Sequence, residues 1–336
     1  FVNPDIVGTH VEYPWNHHGL PTNAILGFKS MAVSRKMVNW IKHQDIMKDT
    51  VAILDWRVAG KLSPILDRIE VPWILMDRSP PADSNILSRL QWYFWKRSWR
   101  LVKQHSNGIG CVVSSAHKEF VAQKIGLTED KMTVIPAGVD TEVFHNGEKT
   151  AQLQLAYHGK IDNNRNIKQI IEIHSRLNKL GLEANLTLHG NGNAVKKLNR
   201  THSDSFTITQ PLDTITLSAK LSSYDIGFLP MTDQKVWRLA SPLKRAEYLA
   251  SGMVVVGIDH TGHRIDGFGE WLQLCEEQNF IDEAVKFIAS LEVPKLRELQ
   301  NQARLFAESN LDWSPTVDRL SNLILMQSSK YALNSK

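Results

Sequence analysis

Short apolar runs recur along the chain, each followed by a segment with helical periodicity. In the first half, strands are predicted over 50–56, 71–77, 108–115 and 131–140, and helices near 24–43, 58–69 and 86–104. In the second half, the strand-like runs are LQLAYHG, ANLTLHG, SFTIT, YDIGFLP and MVVVGI. Strands that alternate with helices in two separate blocks predict an α/β fold with two Rossmann-like, doubly wound domains.

The polar segment 144–152 separates the two blocks and is predicted to be a linker. At 336 residues the chain is long enough for two domains, each with its own core. We expect a first domain over 1–148, a second over 149–312, and a C-terminal helix over 313–336 that crosses back to the first. Ligands bind outside the carboxyl ends of strands in open α/β sheets, so the cleft that the two domains face is the expected site.

The composition is that of a soluble globular protein. Hydrophobic residues make up 42% of the chain and charged residues 22%, and the net charge of +4 is too small for a dedicated nucleic-acid binder. No apolar run approaches the roughly 20 residues of a membrane span. Cys111 and Cys275 lie far apart in the sequence, so we expect structural thiols in a reducing cytoplasm.

The segment SPLKRAEYLASGMVVVG, residues 241–257, predicts a helix that leads into a buried strand. Ser241 is predicted to cap the helix, and Pro242 suits its first position. Gly252 can take the left-handed conformation that closes a helix. This segment is therefore one helix–strand unit of an α/β fold.

Charged residues near the strand ends of the second half indicate an anion site. Lys244 and Arg245 fall in the first turn of the predicted helix, where cations are unfavourable unless an anion binds there. Glu247 follows roughly 6 Å along the helix axis. Lys160 follows a strand and Arg165 lies where the next helix begins, and these two residues are either a diphosphate clamp or two solvated surface charges. Together these residues favour a ligand with phosphate and hydroxyl groups, such as a nucleotide.

Several familiar signatures are absent from the sequence. No G-x-x-x-x-G-K-[ST], G-x-S-x-G or H-E-x-x-H motif occurs. Val195 stands where a dinucleotide fingerprint beginning at Gly190 needs its third glycine, which argues against an oxidoreductase. No Asp-x-Asp pair is present to hold a divalent cation, so we expect no metal and no cofactor other than a nucleotide co-substrate. The segment HTGH, residues 260–263, is interpreted as a polar loop rather than a metal site.

Six pieces of the sequence occur in a characteristic order. They are VVSSAHKEF, VIPAGVDTEVF, GKIDNNRN, LHGNGN, YDIGFLPM and SPLKRAEYLASGMVVVG. In this order the chain resembles family four of the glycosyltransferases, which are retaining enzymes with the GT-B fold. The resemblance covers roughly residues 108–330, and the first hundred residues are similar only in their α/β rhythm. It implies two Rossmann-like domains that face a cleft, with the acceptor on the first and the nucleotide sugar on the second.

The resemblance implies roles for residues of the second domain. Lys160 and Arg165 would bind the donor diphosphate and stabilise the leaving group, and Glu247 would accept hydrogen bonds from the ribose hydroxyls. Leu243 and Lys244 would hold phosphate through their backbone N–H groups. The full set of donor-binding positions besides the two cations is Gly159, Gly190, Leu212, Ser241, Pro242, Leu243, Lys244 and Glu247.

Further positions follow from the same resemblance. Leu212 would meet the nucleotide base through its backbone, and Leu239 stands where the family's motif has its first Glu. Contacts to the donor sugar or the acceptor are expected among His17, His18, Gly19, Asp77, Arg78 and His117. For Asp77 and Arg78, a structural ion pair is an equal alternative.

The segment LQWYFWKRSWRLVK, residues 90–103, has two interpretations. Its helical pattern places Trp92, Trp95, Trp99 and Val102 on one face, with lysines and arginines over the rest. It is either an interfacial helix that reaches a lipid-linked acceptor at the inner face of a membrane, or a domain helix whose tryptophans pack in a core.

The sequence thus predicts a cytoplasmic, retaining, metal-independent glycosyltransferase that acts in polysaccharide biosynthesis. It would move a sugar from a nucleotide sugar, expected to be a UDP-sugar, to a hydroxyl of a glycan or a lipid-linked acceptor. One alternative is another GT-B enzyme, such as a sugar-nucleotide epimerase. A second is a catalytically inactive protein that keeps a nucleotide-sugar site.

Overall fold

In a computed structural model the chain folds into two compact units. The first unit comprises Phe1–Ile135 and Arg319–Lys336, and the second comprises Pro136–Asp318. The structure describes residues 2–3, 18–20, 29–44, 46, 50–81, 86–201 and 205–334. Each unit is built around a parallel β-sheet, as the alternation of apolar runs and helical segments predicts.

The first unit follows the order of elements expected from the sequence. Its elements are β1 (Val2–Asn3), β2 (His18–Gly19), α1 (Lys29–Ile41), β3 (Ala52–Asp55), α2 (Trp56–Arg68), β4 (Trp73–Met76), α3 (Ile86–Gln104), β5 (Gly108–Val112), α4 (Ser115–Ile125) and β6 (Met132–Val134). Strands β3, β4, β5 and β6 form one parallel sheet in that order, and β1 pairs with β2 apart from it. The strands and helices predicted for this half are confirmed where the structure describes them.

Helix α3 packs its tryptophan face into the core of the first unit. Trp95, Trp99 and Val102 have no exposed surface, and Trp92 is half-buried against the same cluster. Protein therefore covers this face, so the domain-helix interpretation of 90–103 is confirmed and insertion of this face into a membrane interface is wrong. None of the helices that the structure describes is both long and apolar enough to cross a membrane.

The second unit continues the alternation of strands and helices. Its elements are β7 (Gln154–His158), α5 (Ile167–Lys179), β8 (Asn185–His189), α6 (Val195–Thr201), β9 (Thr207–Thr209), α7 (Thr214–Leu221), β10 (Ile226–Leu229), α8 (Lys235–Arg238), α9 (Leu243–Ala250), β11 (Val254–Ile258), β12 (Leu272–Cys275), α10 (Phe280–Ala289), α11 (Val293–Asn310) and the start of α12 (Trp313–Asn334). The strands predicted from the five apolar runs are confirmed. Strand β12 is an additional edge strand that the sequence analysis missed, because its LQLC pattern is short and followed by polar residues.

The sheet of the second unit has the strand order β12-β11-β10-β7-β8-β9, and all its pairs are parallel. The chain moves outward from β7 to β9, returns to β10 beside β7, and then moves the other way to β12. Right-handed connections therefore place the helices of the two halves on opposite faces of the sheet. The direction reverses between β7 and β10, where Leu155 pairs with Ile226. Ligands of open α/β sheets bind outside the carboxyl ends of the strands at such a point.

The division between the units falls after Ile135, upstream of the expected boundary at 148. The segment 144–152 is not a linker, because several contacts fix it to the second unit. Phe144 is buried in the core of that unit. Lys149 Nζ donates to Ser222 O at 2.7 Å. Polar composition alone does not reveal these contacts, which is why the predicted linker lies too far along the chain.

The last helix, α12, begins in the second unit, and its residues from Arg319 onward belong to the first. Leu323 is buried there, and Leu320 and Ile324 pack beside it in a cluster with Ile74 and Ile109. The apolar positions of α12 are three and four residues apart, which places them on one face of the helix. The C-terminal segment is therefore part of the core of the first unit.

Candidate functional site

Two glycines follow strands β7 and β8 and bring the loops after these strands into backbone contact. Gly159 has a φ of +123° and Gly190 a φ of +155°, both in the region that favours glycine. A Cβ on Gly190 would lie 1.8 Å from Gly159 O, and a Cβ on Gly159 would lie 2.9 Å from Lys244 Nζ. Both positions therefore require glycine, and backbone lines this end of the sheet.

Helix α9 begins at Leu243, one residue later than predicted. Pro242 is at the N-cap position, with φ −73° and ψ 119°, and no side chain caps the helix. Ser241 Oγ instead accepts a hydrogen bond from the backbone N–H of Ala137 at 3.2 Å. The prediction that Ser241 caps the helix is wrong, because a partner distant in sequence uses its hydroxyl. The first backbone N–H groups of a helix lack partners within the helix, so this end retains donors for an anion.

Arg165 and Lys244 form a pair of cations at the carboxyl end of β7. Lys244 Nζ lies 3.4 Å from Tyr157 Oη and 4.6 Å from the centroid of the Tyr157 ring. Arg165 ends a 3-10 turn just before α5, and its guanidinium carbon lies 4.0 Å from the centroid of the Trp237 ring. Burial, assisted by the positive charge of Arg165 and opposed by Glu247, lowers the pKa of Lys244 to about 7.

The two cations lack a carboxylate partner in the part of the chain that the structure describes. Arg165 Nε has no hydrogen-bond partner among those residues, and Lys244 Nζ is bonded to the phenol of Tyr157. The positive charge of each group makes the charged form of the other less favourable, and a bound anion would offset this repulsion. The pair is therefore suited to binding a multiply charged anion such as a diphosphate.

Lys160, the other predicted cation, has a different environment. Its side chain is exposed, and Nζ donates to Asn191 Oδ1 at 3.1 Å. Its carbonyl oxygen accepts a hydrogen bond from Tyr157 Oη at 2.8 Å. No contact between described residues joins the Lys160 ammonium to Arg165 or Lys244. The cation that accompanies Arg165 is therefore the side chain of Lys244, whose charge the sequence analysis placed at an anion site, although the resemblance implied a role only for its backbone.

Glu247 lies three residues after Lys244, on the same face of α9. Its Oε2 is 3.0 Å from His158 Nε2, and the two side chains are 18% and 13% exposed. Burial lowers the pKa of His158, and Glu247 opposes that effect. The backbone N–H of His158 donates to Tyr248 Oη at 3.0 Å. His158 was missed in the sequence, although its position at the end of β7 directly before Gly159 is the signal that could have found it.

Asp77 and His117, expected near the sugar or acceptor, lie in the interior of the first unit with no exposed surface. Asp77 Oδ2 accepts hydrogen bonds from Trp95 Nε1 at 2.6 Å and Trp99 Nε1 at 2.8 Å. His117 Nε2 lies 3.3 Å from the same oxygen. Asp77 Oδ1 and both ring nitrogens of His117 have no hydrogen-bond partner among the described residues. The cluster is a buried polar centre rather than a surface that meets solvent.

The remaining predicted positions are spread over both units. Arg78 is exposed, and the ion pair proposed between Asp77 and Arg78 is replaced by the tryptophan contacts of Asp77. His17 lies outside the described residues, and His18 and Gly19 are described only as the backbone of β2. Leu212 is half-buried between β9 and α7.

Leu239, which stands at the position where the resemblance implies a Glu, is buried at the end of α8. Nearby in the sequence, the segment HTGH forms a turn, which agrees with its interpretation as a loop, but its histidines do not face solvent. His260 and His263 are buried, and their rings stack with centroids 3.7 Å apart. Burial lowers the pKa of both rings. Among the described residues no group of three His, Cys, Asp or Glu side chains is placed to hold a metal ion. The histidine pair is therefore a packing feature of the second unit.

Comparisons with known proteins give structural matches without sequence matches. No family model matches the chain. No curated protein matches it either. Sucrose-phosphate synthase from Thermosynechococcus elongatus is similar in structure, with a TM-score of 0.74 at 13% identity, over 93% of this chain and 81% of that one. HepE from Anabaena, solved with UDP and glucose, has a TM-score of 0.67 at 12% identity, over 92% of this chain and 86% of that one.

The pneumococcal O-GlcNAc transferase GtfA, solved with UDP and GlcNAc, is also similar. Its TM-score is 0.66 at 12% identity, over 89% of this chain and 60% of that one. These matches extend over both units and their parallel sheets, and they show that the chain has the GT-B fold. At such low identity the likeness defines the fold, and the activity has to be argued from the residues at the site.

Proposed function

We propose that the chain is a retaining glycosyltransferase whose donor is a nucleotide sugar, with a UDP-sugar as the favoured donor. The observation that carries the proposal is the pairing of Arg165 with Lys244 beside Glu247 at the end of β7. The two cations suit a diphosphate, and the carboxylate suits the ribose hydroxyls. HepE and GtfA, which share the fold, were solved with UDP bound, and this supports the choice of uridine.

Arg165 and Lys244 would stabilise the charge that develops on the diphosphate as it leaves the sugar. Preorganised cations act most strongly in a site with little water, and Lys244 is half-buried against Tyr157. The first N–H groups of α9 would add donors without a net charge. Lys160 would contribute a third cation when the diphosphate draws its exposed side chain in. These charges supply the electrostatic stabilisation that a divalent cation supplies in metal-dependent enzymes, so we expect transfer without a metal.

Glu247 would recognise the ribose. Its carboxylate can accept a hydrogen bond from each of the two ribose hydroxyls, so Glu247 would recognise the ribose through direct contacts. His158 is in contact with the same carboxylate at 3.0 Å and would hold it in one orientation. His158 is therefore a positioning residue for Glu247. The backbone near Leu212, with Gly159 and Gly190, would line the rest of the nucleotide.

Transfer would retain the configuration of the sugar. The diphosphate would depart as the acceptor hydroxyl attacks from the same face, so no side-chain nucleophile needs to be assigned. The acceptor would be a hydroxyl of a glycan or of a lipid-linked sugar, which places the reaction in polysaccharide biosynthesis.

The test is turnover of UDP-sugars by the wild type and by Arg165→Ala, with EDTA present throughout. Loss of one preorganised contact to a developing anion costs on the order of 10²–10³ in turnover. Lys168→Ala is the matched control, because Lys168 is an exposed cation in the first turn of α5. We expect Arg165→Ala to lower the release of UDP by that factor, and the control to remain near wild type with a similar free energy of unfolding.

The products distinguish the proposal from its alternatives. Release of UDP that depends on an added acceptor identifies a transferase. An isomerised nucleotide sugar would identify an epimerase, and tight binding of UDP-sugars without turnover would identify a catalytically inactive binding protein. Turnover that EDTA abolishes would overturn the metal-free mechanism, and equal activity of Arg165→Ala and the wild type would overturn the role of the cation pair.

A further inference from the structure

A basic groove lies on the first unit, between helices α1, α2 and α3. It has a volume of about 480 Å³, and it is lined by Arg35, Lys61 and Arg97 together with Val38, Asn39, Gly60 and Pro64. The three cations are exposed, Val38 and Pro64 are half-buried, and Gly60 is buried. The groove therefore has an apolar floor with positive charge around it.

The helices that form the groove concentrate the positive charge of the protein. Helices α1 and α2 each carry three lysines or arginines, and α3 carries five, whereas the net charge of the whole chain is only +4. The single acidic residue on these helices is Asp67. Its carboxylate accepts a hydrogen bond from Trp73 Nε1 at 3.0 Å and lies 2.8 Å from His105 Nδ1. The groove thus has no acidic residue of its own helices to neutralise it.

The groove is held in shape by contacts between α2 and α3. Arg97 Nε donates to Gly60 O at 3.3 Å, and the stem of Arg97 lies against Gly60, where a Cβ would be 3.4 Å from its Cδ. Ser98 Oγ donates to Trp56 O at 2.7 Å beside it. Among the described residues no carboxylate forms an ion pair with Arg35, Lys61 or Arg97. Three cations therefore line one cavity, Arg97 is held there by Gly60 O, and none of the three has a carboxylate partner among the described residues.

We propose that this groove binds a phosphate ester. Arginine guanidinium groups match the oxygens of a phosphate with paired hydrogen bonds, and a lysine adds a compact point charge. The volume lies within the range of small-molecule sites, so it accommodates the organic part of an ester as well as the phosphate. The apolar surfaces of Val38 and Pro64 would contact that organic part. The proposal does not depend on the function assigned to the second unit.

The test compares two charge reversals on one helix. Lys61→Glu changes a groove residue, and Arg68→Glu changes an exposed cation of α2 that does not line the groove, so both variants alter the net charge equally. The soluble probe is glycerol 3-phosphate, titrated by calorimetry with UDP present to occupy any anion site in the second unit. The membrane probe is flotation with phosphatidylcholine vesicles that contain or lack phosphatidylglycerol.

We expect the wild type and Arg68→Glu to bind at least one probe, and Lys61→Glu to bind it at least about tenfold more weakly, because charged hydrogen bonds to phosphate are strong. Binding of glycerol 3-phosphate identifies a soluble ester, and binding confined to the anionic vesicles identifies a lipid headgroup. Equal weakening by both variants would show a diffuse charge effect and overturn the groove as a site. Failure of the wild type to bind either probe would also overturn it. Lys61→Gln and Arg68→Gln repeat the comparison if either reversal fails to fold.

Discussion

Arg165 and Lys244 show what a sequence reveals and what it leaves out at the level of single residues. Arg165 was found because it follows a strand and precedes a helix, which are features of local sequence. The charge of Lys244 indicated an anion site, but its pairing with Arg165 was not predicted, because its position beside Tyr157 depends on how α9 packs on β7. The contact between His158 and Glu247 was missed for the same reason. Spacing along the chain places residues on elements, and only packing brings side chains of different elements together.

The pKa of Lys244 predicts a proton linkage in nucleotide binding. At about 7 in the unliganded protein, this pKa leaves Lys244 mostly neutral at pH 8, whereas a bound diphosphate would favour the ammonium form. We expect binding of UDP at pH 8 to take up close to one proton, and the affinity to fall as the pH rises above 7. Calorimetry in two buffers that differ in ionisation enthalpy measures the uptake.

Two variants test whether Lys244 is the group that takes up this proton. Lys244→Gln should abolish the uptake, and Lys160→Gln should retain it because the Lys160 side chain is exposed and bonded to Asn191. Proton uptake that survives in Lys244→Gln would show that another group carries the linkage.

Glu247→Gln tests whether Glu247 accepts hydrogen bonds from the ribose hydroxyls. Hydrogen bonds to a charged group contribute about 1.5–3 kcal/mol each, so this change should weaken UDP binding at least roughly tenfold. A 2′,3′-dideoxy analogue of UDP offers no hydroxyls to the carboxylate, so its affinity should be nearly the same for the variant and the wild type. Equal weakening of both ligands would mean that Glu247 supports its neighbours and does not contact the ribose.

At the scale of elements, the apolar runs predicted the strands well because each run is buried in a sheet covered by helices. Strand β12 was not predicted, because its four residues at the sheet edge are too few to show a clear pattern of hydrophobic positions. The start of α9 was misplaced because Ser241 bonds to Ala137, a partner from a distant part of the chain. Hydrophobic periodicity thus fixes the body of an element, and hydrogen bonds between elements decide its ends.

The contact between the β7 and β8 loops gives a prediction about stability. Gly190→Ala would place a Cβ 1.8 Å from Gly159 O at a φ that disfavours side chains, so we expect a loss of more than about 3 kcal/mol in the free energy of unfolding. Gly181→Ala is the matched control. It also has a positive φ, of +83°, but no atom lies within 4 Å of its Cβ, so strain alone should cost about 1 kcal/mol. Denaturant unfolding measures the free energy of unfolding of both variants. Similar losses in the two would show that the loops after β7 and β8 can move apart without a loss of stability.

At the scale of the whole molecule, the sequence predicted two α/β domains but not where one ends. The boundary follows contacts, and residues 136–148 join the second unit through pairs such as the hydrogen bond from Val139 N to Leu311 O at 2.8 Å. The same chain then supplies Arg319–Lys336 to the first unit. Residues distant in sequence thus complete each core, which is information that local composition does not contain.

This division predicts that damage to the C-terminal helix affects the first unit alone. Leu323 is buried against Ile74 and Ile109, so Leu323→Ala should lower the free energy of unfolding by about 2–4 kcal/mol. Leu325→Ala, at an exposed position on the same helix, should cost less than about 0.5 kcal/mol. Because the proposed nucleotide site belongs to the second unit, calorimetry should give the same affinity for UDP in both variants and the wild type. An affinity that falls together with stability in Leu323→Ala would mean that the first unit contributes to nucleotide binding, and the site would then have to extend beyond the second unit.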